Sequence, residues 1–188
     1  MKPTITSTEI VHQNPWYRVR LDKVVWPNGK PGQFFVTEIR DGAVIVCIKD
    51  QSVLVVKQYR PAVQLETIEF PCGGIDEGES PLQGAQRELH EETGYEAKTW
   101  TQLGDNYAEV GCSHNHQFYF LANDVERRTQ PELEAGEASA DLRYEWMPIQ
   151  TFEHLILTTN LIPQGTMNAW LRYRLHTGSM DSLLQSNG

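Results

Sequence analysis

One segment constrains this chain more than any other, because it fixes where a helix starts, where it stops and what its surface carries. Ser80 suits an N-cap, its hydroxyl placed to accept from a backbone N–H of the first turn, and Pro81 fits the first helical position, where no N–H is needed. Gln83 completes a capping box with Ser80, so the helix starts at Pro81 and runs to about Thr93, with Gly94 as the left-handed closing residue. Each residue turns about 100° around the axis, which puts Glu88, Glu91 and Glu92 in one sector of the surface. Leu82, Ala85 and Leu89 share an adjacent sector that packs on a sheet. Gly84 lies in the carboxylate sector, where a missing side chain admits another backbone or a ligand, and Arg87 stands four residues ahead of Glu91, close enough to orient it.

Three carboxylates this close repel one another. At roughly 6 Å, two unit charges cost about 3 kcal/mol at an effective dielectric near 20. A divalent cation reverses the sign of that cost, and clustered hard oxygens select Mg²⁺, Mn²⁺ or Ca²⁺ over softer metals. A solvated acidic face is the ordinary explanation of such a helix; here the flanking pattern outweighs it.

The rest of the chain is read more coarsely. Residues 16–40 form a hairpin: Tyr17, Val19 and Leu21 alternate with Arg18 and Arg20, a turn cluster follows Trp26, and Phe34-Phe35-Val36 returns. Asp41-Gly42 makes a second turn, after which 43–48 and 52–58 read as two buried strands, and 66–70 as a third, stopped by Pro71 and the glycines Gly73 and Gly74. Beyond the helix, 100–103, 107–110, 117–122 and 144–147 read as strands, 130–140 as a mobile acidic loop, and 150–157 and 167–175 as helices. Mixed strands around two or three helices give an α/β or α+β fold, and the pattern alone leaves the two open.

The 188 residues suffice for one domain with a small appended arm. A net charge of −9 argues against nucleic acid as partner, because a phosphate backbone is met by clustered Lys and Arg. Cys47, Cys72 and Cys112 form no disulfide framework, the N-terminus lacks the apolar core of a signal peptide, and the longest apolar run, 43–48, is too short to span a bilayer. A cytoplasmic protein with no membrane partner is the expectation. His114-Asn115-His116 offers two imidazoles without a nearby third ligand, a weak zinc signal.

The stretch from Gly73 to Tyr95 resembles the Nudix box, G-x5-E-x7-R-E-U-x-E-E-x-G-U, where U is bulky and aliphatic. Gly73, Glu79, Arg87, Glu88, Leu89, Glu91, Glu92 and Gly94 fall on the pattern, and Tyr95 departs from it in being aromatic. The resemblance implies a Nudix α/β/α sandwich with a mixed sheet, preceded by an N-terminal antiparallel β arm. It implies Mg²⁺-dependent hydrolysis, with Mn²⁺ able to substitute. On that basis Glu88 and Glu92 are the principal metal ligands, Glu91 is a further ligand or a base, and the backbone carbonyl of Cys72 also binds metal. Glu79 and Arg87 brace the loop and helix, Arg87 counting with the catalytic set.

The wider chain, from about residue 17 to 175, is similar to the ADP-ribose and nucleoside-diphosphate-sugar pyrophosphatases. Lys57-Gln58-Tyr59-Arg60-Pro61, then Glu66-Thr67-Ile68-Glu69-Phe70-Pro71, matches that group's lead-in to the box. The resemblance implies an arm over residues 1–42 that mediates homodimerisation and contributes to the partner's substrate pocket, with Trp16 as its contact, ahead of a hydrolase domain over 43–188. Arg60 and Glu69 are the further substrate-binding residues. A glutamate on the loop after the box is expected to bind or activate the attacking water; Glu134, Glu137 and Asp141 qualify, and Glu137, next to a glycine near the segment's centre, is preferred. Val110 stands where ADP-ribose hydrolases usually carry a proline. The implied reaction takes ADP-ribose to AMP and ribose 5-phosphate. The alternatives are another nucleotide sugar, such as GDP-mannose or ADP-glucose, and a non-catalytic nucleotide-sensing module.

Overall fold

An antiparallel sheet of three strands in the order β1 (Thr4–Gln13), β2 (Tyr17–Val25) and β3 (Pro31–Ile39) opens the chain. The β2–β3 pair is the hairpin expected over 16–40. β1 was not expected: every one of its residues is exposed, so it lacks the apolar alternation by which strands are recognised. Its register against β2 is held by polar contacts as well as backbone pairing. The Thr8 hydroxyl donates to the buried Asp22 carboxylate at 2.7 Å, which also accepts from Arg20 at 3.0 Å, and Glu38 on β3 takes both Arg18 and Arg20.

The computed structural model describes residues 2–178 and resolves into two units. The first joins the chain up to Asp41 with Asn106–Gln117; the second comprises Gly42–Asp105 and the chain from Phe118 onward. The sequence expectation divided the chain once, after residue 42, and included residues outside those described.

The second unit contains β4 (Gly42–Lys49), β5 (Ser52–Arg60), β6 (Leu65–Glu69), β7 (Cys72–Gly74), α1 (Pro81–Thr93), β8 (Tyr95–Tyr107), β9 (His116–Arg127), α2 (Ala135–Ser139), β10 (Arg143–Pro148), α3 (Ile149–Thr158) and α4 (Gln164–His176), with the junctions of β8 and β9 shared with the first unit. The sheet runs β10-β5-β4-β9-β8, with β6 added on β5 and β7 on β4. Successive residues of β4 and β5 serve opposite faces, as the strand period of two requires. Val44, Val46, Val53 and Val55 pack with Phe152, Ala169 and Trp170 of α3 and α4, whereas Ala43, Ile45, Cys47 and Leu54 pack with Ala85 and Leu89 of α1. Helices therefore cover both faces of a mixed sheet, the α/β/α sandwich that pattern reading alone left open.

Some local expectations are corrected. Residues 100–103 and 107–110 are not two strands: one strand, β8, covers Tyr95–Tyr107, and the chain turns from Ala108. The loop at 130–140 contains a single helical turn, α2, where Glu137 caps its start by accepting from the Glu134 N–H at 2.9 Å. The strand expected over 66–70 does stop before Pro71, as β6, but the glycines lie in a further short strand: β7 pairs with β4, Val44 opposite Cys72 and Ala43 opposite Gly73. Leu82, expected to pack on the sheet with Ala85 and Leu89, is 37% exposed.

Candidate active site

β7 and α1 build the site between them. The Ser80 hydroxyl accepts from the Gln83 N–H while the Gln83 side chain accepts from the Ser80 N–H, so both ends of the capping box are made. Gly94 closes the helix at φ +70°, and a Cβ there would lie 2.3 Å from the Thr129 carbonyl. Between those ends Arg87 ties the approach loop to the helix. It donates to Glu79 at 2.9 and 3.0 Å, to the Gly74 carbonyl at 2.7 Å, to Glu88 at 2.8 Å and to Glu91 at 2.9 Å. Glu79 in turn accepts from the Asp76 N–H at 2.9 Å.

Of the helix glutamates, Glu88 and Glu92 turn inward. Glu92 is 1% exposed and Glu88 7%, both unusual for a carboxylate. Gly73 on β7 makes room for this: a Cβ at that position would sit 2.2 Å from the Glu88 carboxylate. The Cys72 backbone N–H donates to Glu92 at 2.9 Å, the one hydrogen bond that carboxylate accepts among the described residues. Glu137, from α2, joins the pair; one carboxylate oxygen from each of Glu88, Glu92 and Glu137 lies within 4.8 Å of the others. Glu91 stands outside this group, held by Arg87. Of the three loop acids, the structure brings only Glu137 into the cluster, while the Asp141 carboxylate pairs with Arg143 at 2.8 Å.

The Glu88 carboxyl is pushed up to about 7, by burial first, with Arg87 opposing and Glu91 and Glu137 adding to the rise. The Glu92 carboxyl is pushed well above the ordinary range, by burial first and by Glu88 next, with the Cys72 N–H opposing. Burial also raises Glu137; the Glu134 N–H it accepts opposes this, while the charges of Glu134 and Glu91 assist it. Two buried carboxylates and a half-buried third, converging and underneutralised, fit a hard divalent cation better than they fit each other.

Beside the cluster, Arg60 grips Glu69 in a two-point ion pair at 2.7 and 2.6 Å. Burial is the largest influence on Glu69 and pushes its carboxyl up, but Arg60, Thr67 and Cys72 together hold it below the ordinary range. Arg60 is within electrostatic reach of Glu92 and Glu137. The Cys72 thiol is pushed upward by burial and by neighbouring carboxylates, which disfavours thiolate chemistry. Sequence reasoning passed over Thr67, although its spacing of two from Glu69 on a strand was signal enough to put both on one face. Trp16 lies in the first unit, 70% exposed, its N–H bonded to Asn14. His116 also belongs to that unit, stacked on Tyr107 at 4.7 Å, and neither His114 nor His116 joins a metal-compatible group among the described residues.

Residues 39–170 match the family model described as NUDIX domain, and residues 4–37 match the nucleoside diphosphate sugar hydrolase N-terminal domain. The chain belongs to the Nudix family. It is 31% identical to the ADP-ribose pyrophosphatase of Mycobacterium tuberculosis over 83% of this chain and 75% of that protein. It is 31% identical to the ADP-ribose pyrophosphatase of Bacillus subtilis over 56% of this chain, spanning just 57% of that relative's length. A solved structure titled as an ADP compounds hydrolase superposes with a TM-score of 0.80 over 96% of this chain and 98% of the other, at 22% identity, a likeness of fold. Within the Nudix box, the departure at Tyr95 has a local cause: its hydroxyl accepts from the Trp146 indole N–H at 2.9 Å, and its ring meets Tyr144 and Trp146 edge-on. An aliphatic side chain would leave that N–H without this acceptor.

Proposed function

We propose that this Nudix protein hydrolyses the pyrophosphate of a nucleoside diphosphate sugar, with ADP-ribose as the leading substrate and AMP and ribose 5-phosphate as products. The observation that carries the reading is the convergence of Glu88, Glu92 and Glu137 beside the partly exposed guanidinium of Arg60. Glu88 and Glu92 would hold Mg²⁺ or Mn²⁺, with Glu137 completing the acidic cluster. Bound there, the divalent ion supplies charge neutralisation for the phosphates and acidifies the attacking water. Arg60 offers a fixed positive edge to a phosphate oxygen. Water adds to one phosphorus, the bridging P–O bond breaks, and Glu137, its basicity enhanced by burial, takes up the water's proton. Arg87 contributes by keeping Glu88 and the approach loop in place, and Glu91 acts through Arg87.

The relatives named ADP-ribose pyrophosphatase favour ADP-ribose, while a Mus musculus relative, 30% identical over 52% of this chain, is named ADP-sugar pyrophosphatase. Together with Val110 in place of the usual proline, this keeps ADP-glucose and GDP-mannose in the reading. The deciding assay is a panel of ADP-ribose, ADP-glucose, GDP-mannose and UDP-glucose, each with Mg²⁺ and with EDTA. Release of AMP from ADP-ribose that EDTA abolishes is the expected result. A silent panel with Mg²⁺ would overturn the reading in favour of a nucleotide-sensing module.

We infer a homodimer formed through the N-terminal sheet. Trp16 is 70% exposed and Phe35 57%, with Ile5, Ile10 and Phe34 also open to solvent, more apolar surface than so small a sheet ordinarily leaves wet. Light scattering at micromolar concentration should give twice the mass of the 21.5 kDa chain; a monomer removes the inference.

A further inference from the structure

We infer that Thr67 is a positioning residue for phosphate recognition: its buried hydroxyl orients Glu69, and Glu69 sets the guanidinium of Arg60. The inference rests on the proposed function for its ligand class, and on the following contacts for its geometry. Thr67 is 6% exposed and Glu69 4%, both on the same face of β6. The Thr67 Oγ lies 2.5 Å from Glu69 Oε1 and 3.3 Å from the Gln58 carbonyl. A hydroxyl has one proton to give, and the shorter contact to a charged acceptor takes it. Glu69 Oε1 also accepts from Arg60 Nε at 2.7 Å, while Oε2 accepts from Arg60 Nη2 at 2.6 Å and meets Cys72 Sγ at 3.7 Å.

Two consequences follow from that arrangement. Both oxygens of Glu69 are already engaged by protein donors, which assigns this residue to holding Arg60 and not to touching substrate. The ion pair uses Nε and Nη2 of Arg60, so the Nη1 edge is the one left to meet an anion, on a side chain that is 44% exposed. An arginine fixed at two points loses little freedom when it binds a phosphate. Removing the Thr67 hydroxyl lets the Glu69 carboxylate rotate and loosens that fixation, while the metal cluster stays intact. The loss should therefore appear in ground-state binding.

The test compares Thr67→Val and Thr67→Ser with the parent in two measurements. One is steady-state kinetics on the best substrate of the panel; the other is calorimetric titration with inorganic pyrophosphate in Mg²⁺. Thr67→Val should raise KM and the pyrophosphate Kd by about ten-fold with kcat within about two-fold, and Thr67→Ser should restore both. Unchanged constants in Thr67→Val, a fall in kcat as large as the rise in KM, or failure of serine to restore binding would each overturn the inference. Should Thr67→Val fail to fold, Thr67→Ala against Thr67→Ser gives the same comparison, with alanine expected to show the ten-fold loss. A parent protein inactive on the whole panel would sink the proposed substrate class, while the pyrophosphate titration would still decide the role of Thr67.

Discussion

Glu92→Gln is expected to lower kcat on the order of 10³-fold while leaving the metal-free protein at least as stable as its parent. The two halves have one cause. Glu92 is buried to 1% exposure and accepts one backbone N–H, so its charge is poorly compensated unless a cation joins the cluster. Glutamine keeps the size and an oxygen that can accept from Cys72, but removes the charge that would bind the ion, whose stabilisation of a transition state is worth several kcal/mol. The sign with pH follows from the raised carboxyl. As pH rises past the ordinary carboxylate range, the unfolded chain ionises Glu92 and the folded chain resists, so the metal-free parent loses stability until the folded group has titrated. Glutamine lacks that dependence. Thermal unfolding in EDTA should show the variant's Tm advantage growing from pH 5 towards pH 8. A kcat within ten-fold of the parent, or a metal-free Tm several degrees lower, would contradict the assignment of Glu92 to a metal site.

The trade-off between stability and a charged cluster explains what could be read in advance. The capped helix was legible because Ser80, Pro81, Gln83 and Gly94 act locally, through hydrogen bonds and backbone angles that need no distant partner. The carboxylate sector was legible for the same reason, but the division of labour within it was not. Glu88 and Glu92 turn inward and Glu91 outward because Gly73 opens a space on one side and Arg87 lies on the other, and the first of those is set by pairing of β7 with β4. β1 was invisible since an exposed edge strand has no buried face to write into its pattern. The sandwich architecture became readable only from the two clusters that alternate residues of β4 and β5 feed, because a run of buried valines and isoleucines has no visible period. Aromatic Tyr95 likewise looks like a blemish in the box until its partner Trp146, far along the chain, is seen.

The loop acids offer the second large effect: Glu137→Gln should lower kcat by about 10²-fold or more, with KM changed by no more than a few-fold. Glu137 reaches the cluster from α2, a helix of one turn, while its Oε2 caps that helix by accepting from the Glu134 N–H. Glutamine can still accept that bond, so the substitution removes a charge and a proton acceptor without releasing the turn; alanine would confuse the two. The neighbours in sequence provide the control. The Asp141 carboxylate is 87% exposed and paired with Arg143, and Glu134 lies at the helix start, outside the cluster. Asp141→Asn and Glu134→Gln should therefore stay within about three-fold of the parent in kcat, since exposed pairs contribute little. A loss in either control that matches Glu137→Gln would mean that the loop works as an acidic patch and not through one placed carboxylate. A Glu137→Gln enzyme with kcat within ten-fold of the parent would remove Glu137 from the chemistry and leave Glu88 and Glu92 as the whole of the acidic site.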